Sequence, residues 1–179
     1  MKDEDETLNL PPGVFMLHRA APHLWLMKLR LVWTGKTRDA HLRALAEDYL
    51  KRLSHFTKCQ VSELRESPGS HKTVGIDKDS KRISDGLPVG GMSVLLDPGG
   101  IEWTSQQLAR ELQDWQEKGT KEVTFIVGGP NGVSKDLSAK ANKRWSLSRL
   151  TLTHEMSRVV LLEQLYRAYT IIHGLPYQK

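Results

Sequence analysis

At 179 residues the chain is long enough for one domain with its own core, and with 39% hydrophobic and 26% charged residues it has the make-up of an ordinary globular protein. A single cysteine, Cys59, excludes an internal disulfide, and no Cys/His cluster or C-x-x-C pair suggests a metal, so a reducing, cytoplasmic setting without structural zinc is expected. The formal charge of +5 is uneven, because residues 135 to 179 hold eight Lys or Arg against three Asp or Glu. A basic surface of that kind suits a polyanion such as RNA, and it equally suits a plain solvated face.

Residues 1–26 open on the acidic run "DEDE" and continue through "LPPGVFMLHRAAPHLWL". A secretory signal starts basic and a transit peptide avoids acids, so this stretch is expected to be a poorly ordered extension, with Met27 a possible internal start. His18, Arg19 and His23 break up its apolar residues. Nowhere does the chain approach the roughly 18 consecutive apolar residues of a membrane span, and no membrane partner is expected.

From Met27 onward the periodicity alternates. "KLRLVWT" has the period of a strand, and "HLRALAEDYLKRLS" places Leu42, Leu45, Tyr49, Leu50 and Leu53 on one helical face. "CQVSELR" is a candidate strand, and the polar, glycine-bearing stretch from Ser67 to Gly91 is expected to hold a short helix around residues 76 to 84. "MSVLLD" has the look of a short buried strand. In "TSQQLARELQDWQEKG", Thr104 and Gln107 have capping-box spacing, Leu108, Leu112 and Trp115 form a stripe, and Gly119 supplies the stop. "VTFIV" is a continuous apolar strand; Ser134 can cap a helix carrying Leu137 and Ala141. "RLTLT" is expected to be the last strand, before a long helix from Glu155 to His173. Five strands alternating with helices imply an α/β fold, a mostly parallel sheet covered on both faces.

Ligands of such sheets bind beyond the carboxyl ends of the strands. Three unusual loops sit there, "LLDPGG", "IVGGPNG" and "LTLTHEM", and they are candidates to share one pocket. The second has glycines at 128, 129 and 132, which match neither a P-loop nor the dinucleotide fingerprint. On local grounds they serve equally well as a strand-to-helix turn.

Three separated segments, "IVGGPNG", "WSLSRLTLTHEMSRVVLLEQLYRAY" and the ending "GLPYQK", resemble the SPOUT-class methyltransferases of the ribosomal RNA large subunit methyltransferase H type. The resemblance runs from Met27 to Lys179 and leaves residues 1–26 outside it. It implies a SPOUT α/β knot, in which the C-terminal part threads through a loop as a trefoil knot. It also implies a homodimer, S-adenosylmethionine as cofactor, and methylation at N3 of a pseudouridine in large-subunit ribosomal RNA, within the assembled ribosome. By the same resemblance Leu96, Gly128 and the segment Leu147, Ser148, Arg149, Leu150, Thr151 and Leu152 contact the cofactor, Gly128 because a side chain there would collide with it. Without the resemblance, "LSRLTL" is simply a short strand with a polar lead, and Leu96 a core residue.

His154, Arg167 and Tyr177 are the catalytic candidates that the resemblance implies, for orienting the base and steadying negative charge. Each has a plainer reading. His154 sits where a helix is capped, Glu163 and Arg167 have the spacing of an i,i+4 ion pair, and Tyr177 lies in a chain end. Arg158 is a lesser candidate for RNA, and Lys143, Arg144 and Arg149 add to a basic surface beside the cofactor. Two departures stand out: Thr153-His154 where the family often has Pro-His, and Gln178-Lys179 where it ends in a histidine and a base. Rival functions are methylation of another RNA position and non-catalytic binding of RNA or ribosomes.

Overall fold

Period-two burial along the strands decides the architecture. In the computed structural model, which describes residues 27–68 and 73–177, strand β1 (Lys28–Thr34) sends Leu29, Leu31 and Trp33 into one apolar cluster and Val32 into another. Strand β4 (Glu122–Val127) does the same, with Val123, Phe125 and Val127 on one side and Ile126 on the other. Strands buried on both faces belong in a parallel sheet with helices above and below. All four strand pairings are parallel, and with β2 (Cys59–Leu64), β3 (Met92–Glu102) and β5 (Lys143–Ser146) the order is β2-β1-β4-β3-β5.

Helices α1 (Ala40–Leu53), α3 (Ser105–Glu117) and α5 (His154–Ile172) cover the larger cluster, and α5 packs against both of the others. On the other face α2 (Thr73–Asp85) contributes Ile83 and α4 (Lys135–Lys140) contributes Leu137. The Thr104–Gln107 capping box forms, and Gly119 ends α3 at φ 74°, with Thr120 N–H donating to Trp115 O at 2.9 Å. Ser134 caps α4 through Leu137 N–H, and Ala141 is the C-cap just past Lys140.

Three expectations are corrected. "LLDPGG" is not a loop after a short strand but lies inside β3, at the irregularity where its pairing with β5 shifts register between Leu96 and Ile101. The fifth strand is Lys143–Ser146, and "RLTLT" is an irregular loop in which Leu150 is 76% exposed. The strand forms because Trp145, 2% exposed, inserts between the rings of Phe125 and Trp103, while its two cations are taken up by Glu111 and Asp97. In α1, Leu45 faces solvent and Ala46 takes the inward position, while Leu42, Tyr49, Leu50 and Leu53 of the expected face do pack on the core. Residues 1–26, with the extension expected there, lie outside the described residues, as do Gln178 and Lys179.

Candidate functional site

A cavity of ≈ 470 Å³ opens beyond the carboxyl ends of β4 and β5, beside the point where β3 breaks register after Leu96. Its wall brings together all three segments singled out in the sequence: Leu96 to Pro98 at the irregularity of β3, Gly128 to Pro130 with Gly132, and Leu150 to His154. Among the anticipated contacts, Leu96, Gly128, Leu147, Ser148, Leu150, Thr151, Leu152 and His154 line it. Arg149 does not, because its side chain is 89% exposed and pairs with Glu102 at 3.0 Å.

The glycine loop is rigid for reasons internal to it. Gly132 N–H donates to Gly129 O at 3.0 Å across Pro130 and Asn131, a turn whose second residue already has the φ that proline imposes. Gly132 itself sits at φ 78°, in the left-handed region. A Cβ on Gly128 would lie 3.1 Å from Gly132 C and from Val133 Cγ1. A side chain at 128 would thus press on the loop's own backbone, before any ligand is considered. Gly100 is tighter still, since a Cβ there would come within 2.6 Å of the Arg144 backbone in β5.

The facing wall is a stretch with open backbone. Among the described residues, Ser148 to Leu152 make no backbone–backbone hydrogen bond; only Ser146 Oγ to Ser148 O at 3.0 Å and Leu150 N–H to Ser148 Oγ at 3.0 Å shape the segment. Amide groups on a cavity wall without main-chain partners are available to a ligand's polar edge.

His154 begins α5 behind Thr153, whose φ of −64° equals what a proline would enforce and whose Oγ1 accepts from Met156 N–H at 3.2 Å. Threonine therefore supplies the geometry of the family's Pro-His pair and adds a cap. Burial, reinforced by the Arg158 charge, holds the His154 imidazole below the usual histidine value, which favours the neutral ring at pH 7. Ser157, one turn on, also lines the cavity. Asp97, Pro98, Trp145, Ser146 and Ser157 were not anticipated as contacts; the "LLDPGG" loop and the i,i+3 spacing from His154 were the available signals for three of them.

Arg167 and Tyr177 are elsewhere. Thirteen residues of α5 separate His154 from Arg167, about 20 Å at 1.5 Å per residue. There Arg167 Nε donates to Glu163 Oε1 at 2.9 Å, and its guanidinium lies 4.7 Å from the centre of the Tyr177 ring. The Tyr177 hydroxyl donates to Glu163 Oε1 at 3.3 Å and meets the Tyr49 hydroxyl at 3.5 Å. Burial, and then the Tyr49 contact, push the Tyr177 phenol well above its usual value, so it stays protonated.

Arg158 is not a surface cation. It is fully buried, donating from Nη1 to Thr37 Oγ1 at 2.8 Å and from Nη2 to Thr34 O at 2.7 Å, with its guanidinium 5.3 Å from the Trp33 ring centre. The basic surface expected from Lys143, Arg144 and Arg149 is likewise largely paired, to Glu111, Asp97 and Glu102 at 3.3, 3.4 and 3.0 Å. Burial pushes the Cys59 thiol up to about 12, in keeping with a packing role. Among the described residues no His, Cys, Asp or Glu group is arranged to hold a metal, and no helix is long and apolar enough to cross a membrane.

Residues 27–178 match the family model described as "Predicted SPOUT methyltransferase". A protein of Geobacter sp. strain M21 named ribosomal RNA large subunit methyltransferase H is 40% identical over 151 residues, covering 84% of this chain and 98% of that one. One of the same name from Gloeobacter violaceus is 42% identical over 153 residues, covering 84% and 98%. A putative methylase family protein from Neisseria gonorrhoeae overlays with a TM-score of 0.49 at 11% identity, over 82% of this chain and 84% of that one.

Proposed function

Because the chain belongs to the SPOUT methyltransferase family, we propose that it methylates N3 of a pseudouridine in large-subunit ribosomal RNA. In this reading it uses S-adenosylmethionine and works in the cytoplasm as a homodimer on the assembled ribosome. Support for the substrate comes from relatives named for large-subunit ribosomal RNA that match over 98% of their own length. One observation carries the cofactor: Leu96, Gly128 and the open backbone of Ser148 to Leu152 line the same cavity.

The residues fit that cofactor. A volume of ≈ 470 Å³ is within the range of small-molecule sites, the leucines at 96, 147 and 152 offer apolar contact, and the unpaired amides offer donors and acceptors for an adenine edge. When bound, the cofactor supplies an electrophilic methyl group on a positively charged sulfur. The chain's part is alignment and care of the N3 proton. A neutral His154 accepts a hydrogen bond from the base at the cavity mouth. Arg167, too far along α5 from its own cavity, and Tyr177, packed against it, serve the partner protomer's cavity and steady negative charge on the base's carbonyl oxygens. Exposed Leu150, Ile101 and Met156 supply apolar surface for that dimer. The passage from β5 to α5 past the glycine loop is, in the same reading, the trefoil knot.

The test is transfer of radiolabelled methyl from S-adenosylmethionine to intact ribosomes, free ribosomal RNA and transfer RNA. Label at a pseudouridine of large-subunit RNA is expected. Label only in transfer RNA would redirect the substrate, and no label from a cofactor-bound protein would favour a non-catalytic binding factor.

A further inference from the structure

The first turn of α5 shows two different faces. His154 and Ser157 line the cavity, whereas Glu155 and Arg158, also three apart, both grip the connection between β1 and α1. The Glu155 carboxylate accepts from Arg38 N–H and Asp39 N–H, each at 3.1 Å. Arg158 reaches the same connection at Thr34 O and Thr37 Oγ1. The last residue of β1 and the five residues linking it to α1 are thus tied at four points to the helix that starts at the cavity mouth. Gly129 approaches from the other side, where a Cβ would lie 3.8 Å from Thr34 Cβ.

The tied segment presents Lys36 and Arg38 to solvent. Neither side chain makes an ion pair or hydrogen bond among the described residues, unlike the β5-side cations, whose charge is shared with acids. The acids near the segment are Asp39, Glu155 and Glu66. Asp39 caps α1 by accepting from His41 N–H and Leu42 N–H, and Glu155 is occupied as above. They hold the shape of the loop and leave the two cations free.

We propose that the β1–α1 loop is the arm that holds the RNA backbone at the cavity mouth: Lys36 and Arg38 contact phosphates flanking the target nucleotide, and Glu155 is the positioning residue that fixes the arm beside His154. This rests on the reading of the chain as an RNA methyltransferase. Phosphate is the chemistry that fits, because two unpaired, solvated cations on a fixed loop supply charge and orientation without reading sequence.

The experiment measures binding of a fluorescein-labelled single-stranded RNA across a salt series, together with methyl transfer to ribosomes, for the full chain. Lys36→Gln/Arg38→Gln is compared with Lys28→Gln/Lys121→Gln, an equal charge loss on exposed residues at the opposite, amino end of the strands. The loop pair is expected to weaken RNA binding about tenfold and to flatten the log–log salt slope by about 1 to 2. It should raise KM for ribosomes with kcat nearly unchanged, and cofactor affinity should stay that of the wild type. Glu155→Ala should reproduce part of the KM increase, and Glu155→Gln, whose amide oxygen still accepts one N–H, should recover some of it. Equal effects from both charge pairs would overturn the arm. An RNA affinity that falls in Glu155→Ala only in step with cofactor affinity and melting temperature would overturn the positioning role. A wild type that binds RNA through this loop but transfers no methyl would sink the enzymatic reading and leave the arm standing; one that transfers methyl with no loss in the loop pair would sink the arm alone.

Discussion

Thr153 is where the chain replaces a proline expected from its family, and the geometry states what each alternative costs. Its φ is −64°, its Oγ1 caps Met156 N–H at 3.2 Å, and its own N–H has no partner among the described residues. Thr153→Ala keeps the backbone and loses the cap, a cost of about 1 kcal/mol. Thr153→Pro loses the same cap but forbids nothing the folded chain uses, and by restricting the unfolded chain it regains about 0.4–1 kcal/mol. Urea titrations should therefore put the proline variant within about 0.5 kcal/mol of wild type. The alanine variant should lie lower, by about 2–4 °C in melting temperature for a domain of this size. Methyl transfer should survive in the proline variant, since His154 keeps its backbone setting. A Thr153→Pro protein destabilised by about 3 kcal/mol, the cost of proline at an incompatible site, would refute the assignment of this residue as a pre-shaped helix cap.

Arg158→Met should destabilise the fold by about 2 kcal/mol, because the stranded Thr34 carbonyl and Thr37 hydroxyl outweigh the relief of a buried charge; chemical denaturation checks it, and a neutral or stabilising result would show that the buried arginine contributes nothing net. Gly128→Ala should cost about 1–3 kcal/mol even without ligand, as its Cβ presses on the Gly132 backbone, and should weaken cofactor binding as the loop shifts; thermal melts with and without S-adenosylmethionine separate the two effects. His154 takes up a proton at lower pH in the folded chain than in the unfolded one. Between those two values the unfolded state holds more protons, so stability should rise with pH through a window just below the usual histidine value. His173, also lowered by burial, adds to that slope, and His154→Gln should reduce the slope without abolishing it.

The alternation of strands and helices was legible because burial on both faces of a parallel sheet writes long apolar runs such as residues 123 to 127. Trp145 escaped because its strand is four residues long and begins with Lys143 and Arg144, whose charges are answered by residues far away in sequence. "RLTLT" misled for the complementary reason: its alternation of leucine and threonine is that of a strand, yet it joins no strand and runs along a cavity wall instead. Chain position alone grouped the three loops, since parallel strands deliver all their carboxyl ends to one edge. The separation of Arg167 from His154 follows from the helix rise, whereas the place of Tyr177, past the end of α5, is fixed by its ring packing on the Arg167 guanidinium. Glu155 carried no motif at all; its role emerges only when α5 is laid against the β1–α1 loop.

The most direct measurement of the central claim is a calorimetric titration of the full-length protein with S-adenosylmethionine, repeated on Gly128→Ala. Saturable binding at one site per chain, weakened in the variant, is the outcome this account requires. A folded protein that evolves no binding heat at several temperatures, and whose melting temperature the cofactor does not raise, would contradict it.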